Sequence, residues 1–153
     1  MEISLSKLKI VSYDSTNEIH RKCKYDFLKD EQFIKFFGQF FVKNSDEYFK
    51  NSTELEIKKI YYIVFKEEII GLIRLFDIRE NGMIDLQYAV SPEYRGLGYG
   101  NLLLKEVTDY LLKNNKSIRL NINKNNANSI KCALKNSYEQ EKVENDTIRY
   151  RRH

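Results

Sequence analysis

The sequence predicts a mixed α/β fold: one mostly antiparallel sheet of about seven strands, with helices on both faces. Three observations predict it. Three apolar, β-branched segments follow one another at 60–66, 69–78 and 83–90, separated only by short polar turns. A strand, a glycine-rich loop, an amphipathic helix and another strand then fill 83–123, which implies a parallel crossover. Two short segments, 138–144 and 147–152, meet at Asn145-Asp146 as a closing hairpin. Hairpins combined with one crossover build a mixed sheet that needs helices to cover it.

The elements follow in order. Residues 3–12 alternate apolar and polar and predict a first strand. Asp14-Ser15-Thr16 is placed to cap a helix, with Glu18 in its first turn. Residues 16–50 predict helices in pieces. They carry Phe27, Phe33, Phe36, Phe37, Phe40, Phe41 and Phe49 of the 9 phenylalanines, as faces packed on the sheet or as the wall of a substrate pocket. Lys66-Glu67-Glu68 is a polar turn, and Asn81-Gly82 is a strong hairpin signal. Leu103, Leu104, Val107, Tyr110 and Leu111 recur at helical spacing and predict a helix over 98–114. Ile118, Leu120 and Ile122 alternate through a strand at 117–123, and a short helix spans 126–136. No repeat or low-complexity linker interrupts the chain, so residues 1–153 are expected to form one domain.

Composition excludes several functions. The 153 residues carry a net charge of +4, dispersed among acidic residues, so no nucleic-acid partner is expected. No apolar run is long enough to span a bilayer, and Met1-Glu2-Ile3-Ser4 does not begin a secretory signal. A cytoplasmic protein without a membrane partner is the expectation. Cys23 and Cys132 are far apart, and the 2 histidines, His20 and His153, share no ligand spacing, so no metal is expected. That scarcity, with no GxSxG, also argues against a Ser-His-Asp or Cys-His hydrolase.

Three of the 6 glycines, Gly96, Gly98 and Gly100, lie between the strand at 83–90 and the helix at 98–114. The only proline, Pro92, ends that strand. Glycine admits positive φ and close approach to the backbone. The first amides of a helix are unpaired and carry partial positive charge. The loop is therefore an anion site suited to phosphate, with Arg95 beside it. It is not a P-loop, lacking GxxxxGK, and its G-x-G-x-G spacing is not the dinucleotide fingerprint.

The string Val90-Ser91-Pro92-Glu93-Tyr94-Arg95-Gly96-Leu97-Gly98-Tyr99-Gly100 resembles the acetyl-CoA signature of the GNAT superfamily of N-acetyltransferases. Its core, Q/R-x-x-G-x-G/A, is met by Arg95, Gly98 and Gly100. Downstream, Asn126, Ser129 and Ser137-Tyr138 occupy the frame of a second family pattern that usually ends in Gly-Phe. Ala133 stands where many members have a tyrosine acid. That departure is similar to the ribosomal-protein and spermidine acetyltransferase branch.

The resemblance implies a sheet splayed between the strands at 83–90 and 117–123, with acetyl-CoA as cosubstrate lying in the gap. It implies cofactor contacts from Tyr88, Ala89, Val90, Arg95, Gly96, Leu97, Gly98, Tyr99, Gly100, Asn126 and Ser129, and 3′-phosphate contacts from Lys124, Lys131 or Lys135. The Val90 N–H would polarise the thioester. Asp85 is a candidate base, although alternation turns it to the face opposite Ile84, and Tyr138 is a candidate acid. The acceptor is a small-molecule amine or a protein N-terminus, entering between residues 16–50 and the closing hairpin. Glu31, Asp46 and Glu47 are placed to attract a cationic amine. A monomer or homodimer is expected. A non-catalytic CoA-binding module is the alternative, and a nucleotide-phosphate-binding domain a third reading.

Overall fold

The computed structural model describes residues 2–37, 58–78, 83–114 and 117–153. The chain runs β1 (Glu2–Ser4), β2 (Lys9–Ser12), α1 (Glu18–Lys29), α2 (Glu31–Phe37), β3 (Lys58–Phe65), β4 (Glu68–Ile78), β5 (Met83–Val90), a 3₁₀ turn (Pro92–Tyr94), α3 (Tyr99–Asn114), β6 (Ser117–Asn123), α4 (Ala127–Lys135), β7 (Glu139–Glu144) and β8 (Thr147–Arg152). One sheet takes all eight strands in the order β1-β2-β3-β4-β5-β6-β8-β7. Every adjacent pair is antiparallel except β5 and β6, which run parallel across the α3 crossover.

The sheet expected at about seven strands has eight among the described residues, because residues 3–12 are not one strand. They fold back on themselves as β1 and β2, with Leu5 N–H donating to the Leu8 carbonyl at 2.8 Å. The buried carboxylate of Glu106 on α3 holds the turn by accepting from the Lys7 and Leu8 amides at 2.7 and 3.0 Å. The sequence does carry a signal for the turn. Alternation runs through Ile3 and Leu5, then shifts phase to Leu8 and Ile10.

The expected cap also moves. Asn17, not Asp14-Ser15-Thr16, caps α1, its side-chain oxygen accepting from the Ile19 and His20 amides. Asp14 closes the preceding turn through Thr16. Asp30 separates α1 from α2 and caps the second, accepting from Phe33 N–H at 2.8 Å. The Asn81-Gly82 turn and Phe40, Asp46, Glu47 and Phe49 lie outside the described residues, as does Phe41.

The two faces of the sheet bury different cores. On one face, Leu103, Leu104, Val107 and Leu111 of α3 are buried against Ile84, Leu86, Ile118, Leu120 and Ile122. Each such side chain contributes roughly 1.5–3 kcal/mol relative to exposure. On the other face, Phe27 and Phe33, with ring centroids 5.1 Å apart, pack on Tyr13, Tyr62, Leu72 and Ala89. These two phenylalanines are the expected helix faces packed on the sheet. Gly71 on β4 is obligatory for this layering: a Cβ there would lie 2.5 Å from the Ala89 carbonyl and 3.0 Å from Leu103 Cδ1. It lets β5 pass close enough for Val90 to sit under the start of α3.

Candidate active site

Parallel pairing between β5 and β6 covers only Met83–Ser117, Ile84–Ile118 and Asp85–Arg119. Beyond that point β5 continues to Val90 and β6 to Asn123, and the strands diverge. Ser91 N–H donates back to β4, to the Ile70 carbonyl at 2.8 Å. Successive amides of a strand point to opposite sides, so the Val90 N–H faces the gap.

The glycine loop closes one end of this gap. Gly96 and Gly98 have φ of +76° and +86°, and nothing lies within 4 Å of a Cβ built on either. They are glycines for backbone conformation, and the space over them is open. Gly100 differs: a Cβ there would make ordinary contacts with Val90 and Cys132. The first helical bond of α3 runs from Leu102 N–H to the Gly98 carbonyl, so the amides of Tyr99, Gly100 and Asn101 have no partner within the helix. Tyr99 anchors this end by its ring, packed against Phe65 and Tyr94. Leu97 stands exposed on the rim.

A cleft of about 660 Å³ joins these parts. The loop, Tyr88, Ala89 and Val90 line one side, and Asn126, Ser129, Lys131, Cys132 and Lys135 the other. A smaller cavity between Gln87, Tyr88, Asn121 and Ser129 continues it through the splay. Asn126 caps α4, accepting from Ser129 N–H at 3.3 Å, and this fixes the far wall. Lys124 is elsewhere, paired with Asp146 at 3.0 Å.

Arg95 lines the cleft but is committed within the fold. Its Nε donates to the Val90 carbonyl at 3.1 Å, and its guanidinium pairs with Asp30 at 2.6 Å. Burial pushes the Asp30 carboxyl up, but Arg95 and the Phe33 amide outweigh it and leave the group below its ordinary value. Arg95 thus ties the glycine loop to the α1–α2 corner.

The two tyrosines differ in place. Tyr138 is buried in the α3-side core, its hydroxyl 2.7 Å from Thr108 Oγ1, and it does not line the cleft. Burial pushes it up to about 12. Tyr88 lies in the splay, and burial raises its hydroxyl too. That hydroxyl sits beside Ser129 and Cys132 with no well-formed hydrogen bond among the described residues. Ser137, where the family pattern has glycine, adopts φ +64° after α4. Glycine would meet that left-handed position without strain.

Asp85 faces away from Ile84, as alternation requires, and no bulge turns it. It belongs to the α1–α2 face of the sheet with Ala89 and Gln87, and it lies at the paired end of β5 and β6, lining neither the cleft nor the smaller cavity. Arg119 Nη2 and Asn121 Nδ2 donate to its Oδ2 at 3.0 and 3.2 Å, while Oδ1 is buried with no partner among the described residues. Burial raises this carboxyl above its ordinary value despite the nearby arginines. Sequence reasoning missed Arg119, Asn121 and Arg149 around it. Their spacing in β6 and β8 is ordinary alternation, and only strand pairing brings them together.

A parallel strand pair splayed beside a glycine loop and a helix N-terminus forms an open cleft with unpaired amides at one end, suited to an anionic group. A profile of the acetyltransferase (GNAT) family matches residues 14–138, and the chain belongs to that family. Among solved structures, a GNAT-family acetyltransferase from Bacillus anthracis superposes with a TM-score of 0.81 at 14% identity, covering 99% of this chain and 98% of its own. RimL, a ribosomal-protein alpha-N-acetyltransferase in complex with coenzyme A, gives 0.80 at 14% identity, covering 99% and 97%. A spermidine N-acetyltransferase from Vibrio cholerae, in complex with CoA and spermine, gives 0.76 at 15% identity, covering 96% and 95%. No curated protein matches the sequence. Among the described residues no helix is long and apolar enough to cross a membrane.

Proposed function

We propose that this protein transfers an acetyl group from acetyl-CoA to a primary amine of a small molecule or a protein N-terminus by direct attack. The splay beside the glycine loop carries this reading. It turns the Val90 N–H toward the gap and brings Tyr88, Val90 and the glycine loop to the lining of one cleft, with the Tyr88 hydroxyl buried at its wall. The amides from Gly96 to Asn101 hold the pyrophosphate, and Lys131 and Lys135 take the 3′-phosphate. Arg95 acts by holding the loop in place.

When bound, acetyl-CoA supplies the activated acyl group, and each further step belongs to the chain. Asp85, buried and five residues along β5 from Val90, takes a proton from the acceptor ammonium through a relay of waters rather than by direct contact. The Val90 N–H stabilises the charge that develops on the carbonyl oxygen as the N–C bond forms. Tyr88 gives its proton to the sulfur as the C–S bond breaks; the surplus proton on the amide nitrogen leaves to water, Asp85 releases the proton it took to solvent, and Tyr88 recovers one from solvent. Holding both reactants in line contributes further rate.

Incubation with acetyl-CoA and an amine library should release free CoA, read by thiol titration. CoA binding without turnover on any amine, peptide or protein would favour a non-catalytic CoA-binding module. Tyr88→Phe should lower kcat about 100-fold or more if it is the acid. Tyr138→Phe should leave kcat intact and cost about 1 kcal/mol of stability through the lost Thr108 bond. The reverse pattern would return the acid to Tyr138.

A further inference from the structure

Val90 turns two backbone groups toward the gap. In a strand the N–H and C=O of one residue point to the same side, and those of its neighbours to the other. Ser91 N–H donates to β4, so Val90 presents both its N–H and its carbonyl to the side where β6 has diverged. That carbonyl is an acceptor beside the donor that stabilises a developing oxyanion, and with no strand partner it needs another. Arg95 supplies one. Its Nε donates to the Val90 oxygen at 3.1 Å, and the residue lines the same cleft.

The guanidinium is held from its other end. Arg95 Nη2 pairs with Asp30 Oδ2 at 2.6 Å, and both side chains are mostly buried. The same Oδ2 accepts from Phe33 N–H at 2.8 Å, at the start of α2. One carboxylate oxygen therefore fixes both the helix and the arginine. A guanidinium carries its donors in a planar fork of set geometry, so aiming Nη2 also aims Nε. Two things follow at Val90. Its carbonyl is engaged, which leaves the N–H as the group offered to the gap. A positive charge also lies beside the place where negative charge develops. Donors and charges fixed before the reaction stabilise a transition state without reorganising.

Resting on the transferase reading above, we infer that Asp30 is a positioning residue for acetyl transfer: it aims Arg95 at the Val90 carbonyl, so that Val90 meets the thioester with its N–H alone. Arg95 then serves the reaction as well as the loop, and the α1–α2 corner sets the oxyanion donor from outside β5.

The test uses the whole chain and acetyl-CoA isotopically labelled at the acetyl carbonyl carbon, read by NMR. Binding to the wild type should move that resonance downfield, because the Val90 N–H polarises the carbonyl. Asp30→Asn keeps an oxygen for the Phe33 amide but loses the charge that holds Arg95. It should at least halve the displacement and lower kcat about tenfold, with KM for acetyl-CoA changed by about twofold at most. Arg95→Lys keeps a charge without the fork and should show the same split. The double variant should be little worse than either single one, since both disable one device. Should Asp30→Asn fail to fold, Arg95→Lys carries the same readings. Lys22→Gln breaks the exposed Lys22–Asp26 pair on α1 and should change neither.

Wild-type displacement and kcat in Asp30→Asn and Arg95→Lys overturn the inference and leave the transferase reading standing. A lowered kcat with the displacement intact, or an equal loss in Lys22→Gln, also overturns it, because each reports a structural role. A raised KM for acetyl-CoA with kcat unchanged returns Arg95 to loop anchor and overturns it too. If bound acetyl-CoA shows no displacement in the wild type, the Val90 donor falls and the inference with it, while release of CoA to an amine still judges acetyl transfer. If acetyl-CoA does not bind the wild type, the transferase reading itself falls.

Discussion

Gly98→Glu should abolish CoA-induced stabilisation, with affinity falling by about 100-fold or more, while the protein still folds. Gly98 has φ +86°, and no atom lies within 4 Å of a Cβ built there. A side chain at 98 therefore meets no packed neighbour and projects into the space over the loop. Two costs result. The left-handed conformation costs a non-glycine residue about 1–2 kcal/mol, which lowers stability without unfolding the chain. The carboxylate also competes for the amides at the start of α3, because the helix N-terminus attracts any anion. A hundredfold loss corresponds to about 2.7 kcal/mol of binding. Gly98→Ala separates the two: it carries the conformational cost without the charge and should retain most of the affinity. Calorimetric titration of CoA into both variants measures the difference. Equal affinity in wild type and Gly98→Glu would remove the loop from the binding site.

Asp85→Asn should lower kcat by roughly 10²–10⁴-fold, the usual range for losing a general base, with CoA affinity unchanged. Asparagine keeps an oxygen to accept from Arg119 and Asn121, so the polar row retains its shape. What disappears is the ability to hold a proton at Oδ1. The pH profile gives the sign. Burial raises the Asp85 carboxyl above its ordinary value, and a base works only when ionised. Wild-type activity should therefore be full above that raised value and fall as pH drops through it. The acid limb should be absent in Asp85→Asn. The acceptor's own ammonium, ordinarily near ~10, governs the alkaline side in both. Wild-type turnover by Asp85→Asn with an unchanged acid limb would show that Asp85 is only the counter-ion of Arg119. The linkage for stability runs the other way. A carboxyl raised by folding contributes most at low pH and loses that contribution as pH rises through its folded value.

Much of the fold was legible because its signals are local. Alternation in Ile118, Leu120 and Ile122, helical spacing in Leu103, Leu104, Val107 and Leu111, and the glycine loop each report on a few neighbouring residues. The eighth strand was missed because its turn is held from a distance, by Glu106 on α3 reaching Lys7 and Leu8. Only the phase shift between Leu5 and Leu8 announces it in the sequence. Arg95 was read as a phosphate ligand from its position in the loop. Its commitment to Asp30 depends on the α1–α2 corner folding over it.

By itself the sequence determined the glycine loop of this protein. Gly96 and Gly98 specify positive φ, and the helix that follows specifies unpaired amides, because both properties follow from residue type and local order. The polar cluster around Asp85 was decided by tertiary structure alone. Arg74, Asp85, Arg119 and Arg149 are separated by up to 75 positions along the chain. They become one polar surface only when β4, β5, β6 and β8 align in register. Side chains on adjacent strands interact through register, and register is a property of the assembled sheet.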